Sequence, residues 1–513
     1  MTTEVKSYGL ALATEHTASL KRLLTSPTDI RHTRQLVVVS NRLPVVLNKN
    51  ETGEWQIRPA SGGLITALSP VLRRKGGTWI GWPGMCGEVS LNGELDSAAR
   101  EIGCNLRPVI LSEDERSDYY LRFSNETLWP LFHGLQSYCK FDQTTWDKYR
   151  RVNRKFAVVA AENSVAADLL WVHDYHLLLF AQELRRMGVS RQTVFFLHTP
   201  FPPADIFVKL PWHSQIMKAL LEYDLVGFQT RRDKDNFTQC LETMLRGIRL
   251  NDNTGVDVII LPERETKVGV FPISIDFNEF SQGARERDVV EWVAQLHRDN
   301  QDCQIILGVD RLDYSKGIPL RLKAFKCAVE QFPDLRRKVT LLQIVVPSRE
   351  ELSDYRRLKA EIEGLVTEIN NSFAEPGWVP VQCLFRSLPR HELLAHYRAA
   401  SIALVTPLRD GMNLVAKEYC AANLDENGVL ILSRFAGAAA QLKRDVLLVN
   451  PYDTGAVARA IYRAFQMGAD ERKLRMRRLR NSVRKHDIYR WADRFLRQAS
   501  PAGFKVKSIC SGD

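Results

Sequence analysis

Short apolar runs, each about the length of a β-strand, recur along this chain with amphipathic helical stretches between them. Leu36-Val-Val-Val-Ser40, Leu169-Leu-Trp-Val172, Thr193-Val-Phe-Phe-Leu197 and Leu225-Val-Gly-Phe228 occupy the first half. Ile305-Ile-Leu-Gly-Val309, Thr340-Leu-Leu-Gln-Ile-Val-Val346, Ile402-Ala-Leu-Val-Thr406 and Val429-Leu-Ile-Leu432 occupy the second. The stretches at 177–187 and 319–332 carry their apolar residues at helical spacing. A continuous apolar run bounded by turns reads as a strand buried on both faces, and strand–helix alternation as a parallel α/β sheet. Eight or more such strands fit one barrel or two open sheets. Residue clusters with chemistry to offer follow strands in both halves, where open α/β sheets bind ligands at their carboxyl ends. The expected fold class is therefore α/β with two doubly wound sheets. The segment Phe271-Pro-Ile-Ser-Ile-Asp276, read as a strand running into a polar connection, sets the boundary. Expected domains are an arm at 1–34, an N-terminal domain at 35–275, a second domain at 276–480, and a C-terminal helix and tail at 481–513 that can pack back on the first domain.

A chain of 513 residues has room for two or three domains. No window of 18 apolar residues occurs, so no membrane span is expected. The first 34 residues are polar and mixed and do not read as a secretory signal. Nine cysteines lie too far apart for a Cys-x-x-Cys pair. They are expected to be reduced and mostly buried, in the cytoplasm, without a thiolate metal site. The formal charge of +11 is local: Arg472, Lys473, Arg475, Arg477, Arg478, Arg480, Arg484 and Lys485 follow one another with no acid between them, and without them the balance is +3. With no aromatic-rich basic platform beside it, the run reads as a solvated helix face, and no nucleic-acid partner is expected.

The segment Pro407-Leu-Arg-Asp-Gly-Met-Asn-Leu-Val-Ala-Lys-Glu-Tyr419 follows a strand, turns at Asp410 and Gly411, and enters a helix that Asn413 can cap. A helix start with free N–H groups attracts phosphate. Asp410 and Glu418, eight residues apart, lie on the order of 12 Å apart if helical. One carboxylate would then meet a sugar and the other a ribose on either side of a diphosphate. Val309-Asp-Arg-Leu-Asp-Tyr-Ser-Lys-Gly317 brings Arg311 and Lys316 onto one loop, the two cations a leaving nucleoside diphosphate needs; the competing reading is a surface ion pair with Asp310 or Asp313. Arg42 and Gly63 sit at a first sheet edge. His173, Asp174 and His176 follow another strand. The two histidines lack a third metal ligand, and Asp174 suits sugar hydroxyls better. His198 is held between prolines, Tyr120 and Trp129 are either core aromatics or sugar platforms, and Arg349 ends a strand as a phosphate candidate. No Walker A motif and no Gly-x-Ser-x-Gly elbow is present.

Ser40-Asn-Arg42, Gly62-Gly63, Trp79-Ile-Gly-Trp82, Tyr119 to Pro130, His173 to His176, His198 to Pro202, Asp310 to Gly317, Pro347-Ser-Arg349 and Pro407 to Tyr419 run in one order over residues 35–500. In this the chain resembles the trehalose-6-phosphate synthases, retaining glycosyltransferases. The resemblance implies two Rossmann-like domains facing a cleft (the GT-B fold) and transfer of glucose from UDP-glucose to glucose 6-phosphate, giving trehalose 6-phosphate and UDP. It implies Arg42, Tyr120, Trp129, Asp174 and Arg349 as glucose 6-phosphate contacts, and Gly63, Arg311 and Lys316 as donor diphosphate contacts. His198 and Asp410 are implied at the transferred glucose, Gly411, Met412, Asn413, Leu414 and Val415 along the donor, and Glu418 at the ribose. Arg311, Lys316, Asp174 and His198 are the expected catalytic group. UDP-glucose is expected as co-substrate with no metal or other cofactor, in a cytoplasmic homo-oligomer (dimer or tetramer) with no membrane partner. Related readings are glycerol 3-phosphate as acceptor, ADP- or GDP-glucose as donor, or a silent regulatory subunit, which would require losses at the charged positions. No phosphatase-type Asp-x-Asp nucleophile follows, so the product is expected to leave phosphorylated.

Overall fold

The computed structural model describes residues 34–49, 55–60, 62–87, 92–245, 249–253, 255–300 and 303–499. Nearly all of the expected arm, Ser61 beside the glycine pair, Cys510 and the tail from 500 lie outside the described residues. Strands run in chain order β1 Leu36–Arg42, β2 Val45–Lys49, β3 Trp55–Pro59, β4 Thr78–Trp82, β5 Asn105–Pro108, β6 Leu169–His173, β7 Gln192–Phe196, β8 Leu225–Phe228, β9 Arg249–Asn253, β10 Val256–Ile260, β11 Glu265–Val270, β12 Gln304–Arg311, β13 Val339–Val346, β14 Val381–Leu384, β15 Ile402–Val405, β16 Val429–Ser433 and β17 Leu447–Val449. One sheet is ordered β5-β4-β1-β6-β7-β8-β11-β10-β9, parallel except for the antiparallel pairs made by β10. A second is ordered β14-β13-β12-β15-β16-β17 and is wholly parallel, and β2 and β3 form a separate antiparallel pair.

In each sheet the first strand of the unit lies in the middle, with later strands added outward on both sides. This is the doubly wound order, and its chain direction reverses between β1 and β6 and between β12 and β15. Helices leave those neighbouring strands toward opposite faces, opening a crevice at their carboxyl ends. The central strands are apolar on both faces because both are covered: Val37, Val38 and Val39 are buried, as are Ile305, Ile306 and Leu307.

Residues 271–276 are not a strand, contrary to expectation. Pro272 has no N–H to give a ladder, and the segment runs extended from β11 to the helix Phe277–Gly283. The chain returns at 485–488, where Ile488 N–H donates to the Ile275 carbonyl at 3.0 Å. The helix Ile488–Ala499 then packs on the first sheet: Phe495 meets Trp171, Phe196 and Phe271, and Trp491 Nε1 donates to the Phe271 carbonyl at 2.9 Å.

Two further expectations need correction. The basic run is not simply a solvated face. On the helix Ala469–Lys485, Arg472 and Arg480 are buried and hydrogen-bond carbonyls of neighbouring helices. Of the eight described cysteines, all free, only Cys104, Cys240 and Cys420 are buried and the rest are half-buried. No helix among the described residues is long and apolar enough to cross a membrane.

Candidate active site

Apart from Tyr120 and Trp129, which lie within one continuous helical stretch, the candidate residues come from strand ends and helix starts beside the two crevices. Strand β1 runs on past the apolar run through Arg42, with an irregularity between Val39 and Arg42. The Arg42 guanidinium lies over the Trp82 ring at 4.0 Å and the Tyr120 ring at 5.4 Å. Tyr120 belongs to a wide helical segment, Arg116–Leu128, and stacks on His176 at 6.0 Å. Burial would raise the Tyr120 phenol, but Arg42, Arg349 and Arg311 outweigh it and hold the pKa below its ordinary value. Arg349 follows β13 with a left-handed φ of 50°. It is buried over the Trp129 ring at 4.6 Å and donates to Tyr355 Oη at 2.6 Å and Asp313 at 3.4 Å. Three guanidiniums thus converge on one aromatic pocket, an arrangement suited to a phosphate on a sugar.

Asp174 follows β6 with φ of 73°, a costly conformation for a non-glycine residue. Its N–H donates to the Phe196 carbonyl at 2.9 Å and its Oδ1 accepts from His198 N–H at 3.2 Å, fixing the carboxyl at the sheet edge. Burial pushes its pKa up to about 6, partly offset by N–H donors from Tyr175, His198 and Thr199 and by Arg311. Both ring nitrogens of His198 are engaged inside the protein, with His173 at 3.0 Å and Gln229 at 3.3 Å, which leaves its ring edge and backbone as the groups open to other partners. Among the described residues no group of three His, Cys, Asp or Glu is placed around a metal position.

On the opposite wall, Arg311 ends β12 exposed, 5.7 Å from the Trp129 ring. Lys316 lies in a tight turn closed by Gly317, whose φ of 67° and close approach to the Thr406 carbonyl leave no room for a Cβ. The alternative pairing with Asp310 or Asp313 does not occur: Lys316 pairs with Asp410 across the β12/β15 crevice. Asp310 is paired with buried Arg321, which also reaches Gln343 and Thr406 and so ties the ends of three strands. Asp313 accepts from Ser315, Arg349 and, at 3.3 Å, Trp129 Nε1. Asp410 would be raised by burial, yet Lys316 outweighs this and keeps it below the ordinary carboxylate range.

The helix Val415–Ala422 begins later than the sequence suggested, so Asp410 and Glu418 do not share one helix. Asp410 Oδ1 accepts from Met412 N–H at 3.1 Å, and Asn413, at φ 58°, offers Oδ1 to Ala416 N–H at 3.3 Å. Leu414 precedes the helix and Val415 is its first residue. Glu418 accepts from Tyr397 Oη at 2.7 Å, and burial raises its pKa. Gly63 opens the helix Gly63–Lys75 and faces this loop: a Cβ there would lie 3.3 Å from Leu414. A Cβ on Gly411 would lie 2.0 Å from the His198 carbonyl. The two walls therefore meet backbone to backbone at 411 and 198.

The family model for glycosyltransferase family 20 matches residues 34–500. The chain belongs to glycosyltransferase family 20. Trehalose-6-phosphate synthase of Mycobacterium avium is a family 20 relative 41% identical over 472 residues, 91% of this chain and 95% of that protein. An α,α-trehalose-phosphate synthase (UDP-forming) from Burkholderia xenovorans, solved in complex with glucose-6-phosphate, superposes with a TM-score of 0.82 at 34% identity, covering 91% of this chain and 99% of that one. An E. coli structure bound with UDP-2-fluoro glucose gives 0.80 at 36% identity, covering 91% and 98%. The two doubly wound sheets facing a cleft are the GT-B fold. Sequence reasoning named residues of the two walls but missed what holds them: Asp313 entered only as a rival ion-pair partner, Arg321 and Gln229 have their partners far along the chain, and nothing in the local sequence marks Tyr355 as the partner of Arg349.

Proposed function

We infer that this chain transfers glucose from UDP-glucose to glucose 6-phosphate with retention, releasing α,α-trehalose 6-phosphate and UDP. The observation that carries the reading is the pair of facing subsites in a family 20 chain: the Arg42/Tyr120/Arg349 pocket on one side and Lys316–Asp410 with the 411–415 loop on the other. In this reading residues 35–275 form the acceptor domain and 276–480 the nucleotide-sugar domain. Arg42, Tyr120, Trp129, Asp174 and Arg349 hold glucose 6-phosphate. Gly63, Arg311 and Lys316 hold the diphosphate, His198 and Asp410 the transferred glucose, the backbone from Gly411 to Val415 the donor, and Glu418 the ribose.

Arg311 and Lys316 stabilise the charge that develops on UDP, the role a divalent cation plays elsewhere. Lys316 is already oriented by Asp410, so no reorganisation is needed at the moment of bond breaking. Attack comes from the face the donor leaves, and the leaving β-phosphate takes the acceptor proton within the oriented ternary complex. Asp174, ionised above about pH 6, accepts from a sugar hydroxyl. The reading includes a cytoplasmic homo-oligomer, the location supported by free thiols throughout the described residues.

A product assay with UDP-glucose tests this, varying the acceptor among glucose 6-phosphate, glycerol 3-phosphate and free glucose without added metal. Trehalose 6-phosphate formed from the first alone is the expected result. Turnover of glycerol 3-phosphate in preference to it would overturn the acceptor assignment.

A further inference from the structure

Behind the cleft, a chain of buried hydrogen bonds has a polarity that can be read from one end. Ile273 lies in the extended crossing between the two sheets, and its N–H, which can only donate, meets Gln229 Oε1 at 2.9 Å. The Gln229 amide nitrogen therefore faces His198 Nδ1, at 3.3 Å. An amide NH2 is a donor only, so Nδ1 accepts and the proton of the neutral ring sits on Nε2. His198 Nε2 lies 3.0 Å from His173 Nδ1, which accepts in turn and leaves the His173 proton on Nε2. Burial keeps both rings neutral, lowering His198 to about 3 and His173 well below its ordinary value. On the next peptide unit, the Ile273 carbonyl accepts from Lys417 Nζ at 2.5 Å. Lys417 is buried on the helix that carries Glu418.

We propose that Gln229 is a positioning residue for glucosyl transfer: it ties the tautomer and ring orientation of His198 to the crossing peptide at Ile273, and so holds the His198 backbone against Gly411. This rests on the reading that His198 lies at the transferred glucose. No spacing in the sequence links Gln229, Ile273 and Lys417; only the fold brings the end of β8, the crossing and the donor helix to one residue.

Gln229→Glu reverses the chain without changing its shape. One carboxylate oxygen still accepts from Ile273, but the other cannot donate, so His198 must present Nδ1–H and His173 must do the same. Nitrogen NMR of 15N-histidine-labelled protein is expected to show both rings as the Nε2–H tautomer in the parent and as Nδ1–H in Gln229→Glu. The kcat is expected to fall by about tenfold to a hundredfold, as small misplacements at a reacting centre do, with the KM for glucose 6-phosphate unchanged. Gln229→Met, which removes the chain instead of reversing it, is expected to lose kcat similarly and serves if the Glu variant does not fold. A parent with either ring in the Nδ1–H form, or kcat within about twofold of the parent in the variant that folds, would overturn the proposal. His198→Ala separates the two levels. Full activity there would sink the placement of His198 at the glucose, while the tautomers of the parent still decide the chain.

Discussion

Lys316 is oriented by one carboxylate and by the turn at Gly317. Lys316→Ala is expected to lower kcat by on the order of a hundredfold or more, the cost of removing one preorganised electrostatic group; turnover within a few-fold of the parent would sink the diphosphate assignment. Arg349→Ala is expected mainly to raise the KM for glucose 6-phosphate, and an unchanged value would remove Arg349 from the acceptor site. Asp174 carries a pH dependence with a definite sign. Its folded pKa, about 6, lies above the ordinary 3.8. The folded carboxylate is thus penalised relative to the unfolded chain as pH rises from about 4, with the full penalty above about 6. Asp174→Asn should gain stability of about 3 kcal/mol at pH 7, a gain that disappears below pH 4, while losing activity. Parent kcat/KM should fall as pH drops through about 6. A melt at pH 7 and pH 4 beside a pH–rate profile checks both. These residues were legible one at a time because each follows an apolar strand, but their partners were not: nothing near position 410 in the sequence indicates that Asp410 serves Lys316.

The glycines and the buried arginines act at the level of whole elements. At Gly411 a methyl group would meet the His198 carbonyl and the Thr199 backbone, which no side-chain rotation relieves. Gly411→Ala should therefore wedge the two walls apart and cost about a hundredfold in kcat/KM for UDP-glucose; wild-type kinetics would show that the walls need not meet. Arg480 shows how far a local reading carries. Within the run 472–485 it looks like any surface cation. In the fold its guanidinium donates to the carbonyls of Cys420, Ala421 and Asn423, closing the last turn of the helix that bears Glu418. Leaving those carbonyls unpaired in Arg480→Met should cost about 3 kcal/mol, measured by urea unfolding; a loss below about 0.5 kcal/mol would mean the cap contributes nothing beyond ordinary surface variation. Periodicity locates a helix, but which end is buried depends on neighbours that arrive sixty residues later.

Across the whole molecule, the chain crosses between sheets twice, at 271–276 and 485–488, and the two crossings are bonded to each other. The helix Ile488–Ala499 secures the return by seating Phe495 where a Cβ on Gly227 would lie 2.5 Å from its ring. Phe495→Ala should lower stability by about 4 kcal/mol, the usual cost of emptying an aromatic site in a packed core; a denaturation midpoint unchanged from the parent would mean the helix is not structurally tied to the first sheet. The sequence by itself determined the class of fold and the strand ends where chemistry sits, because strand burial and helix periodicity are written in residues close to one another. It also named the residues of both candidate walls, since each wall is built from a few contiguous segments. Only the tertiary structure decided which wall faces which, that residues 271–276 cross extended without joining a sheet, and that Arg472 and Arg480 are interior. It alone brought Gln229 and Lys417 to the backbone N–H and carbonyl of Ile273. Those outcomes depend on hydrogen bonds and contacts between residues tens to hundreds of positions apart, and neither spacing nor local propensity carries that information.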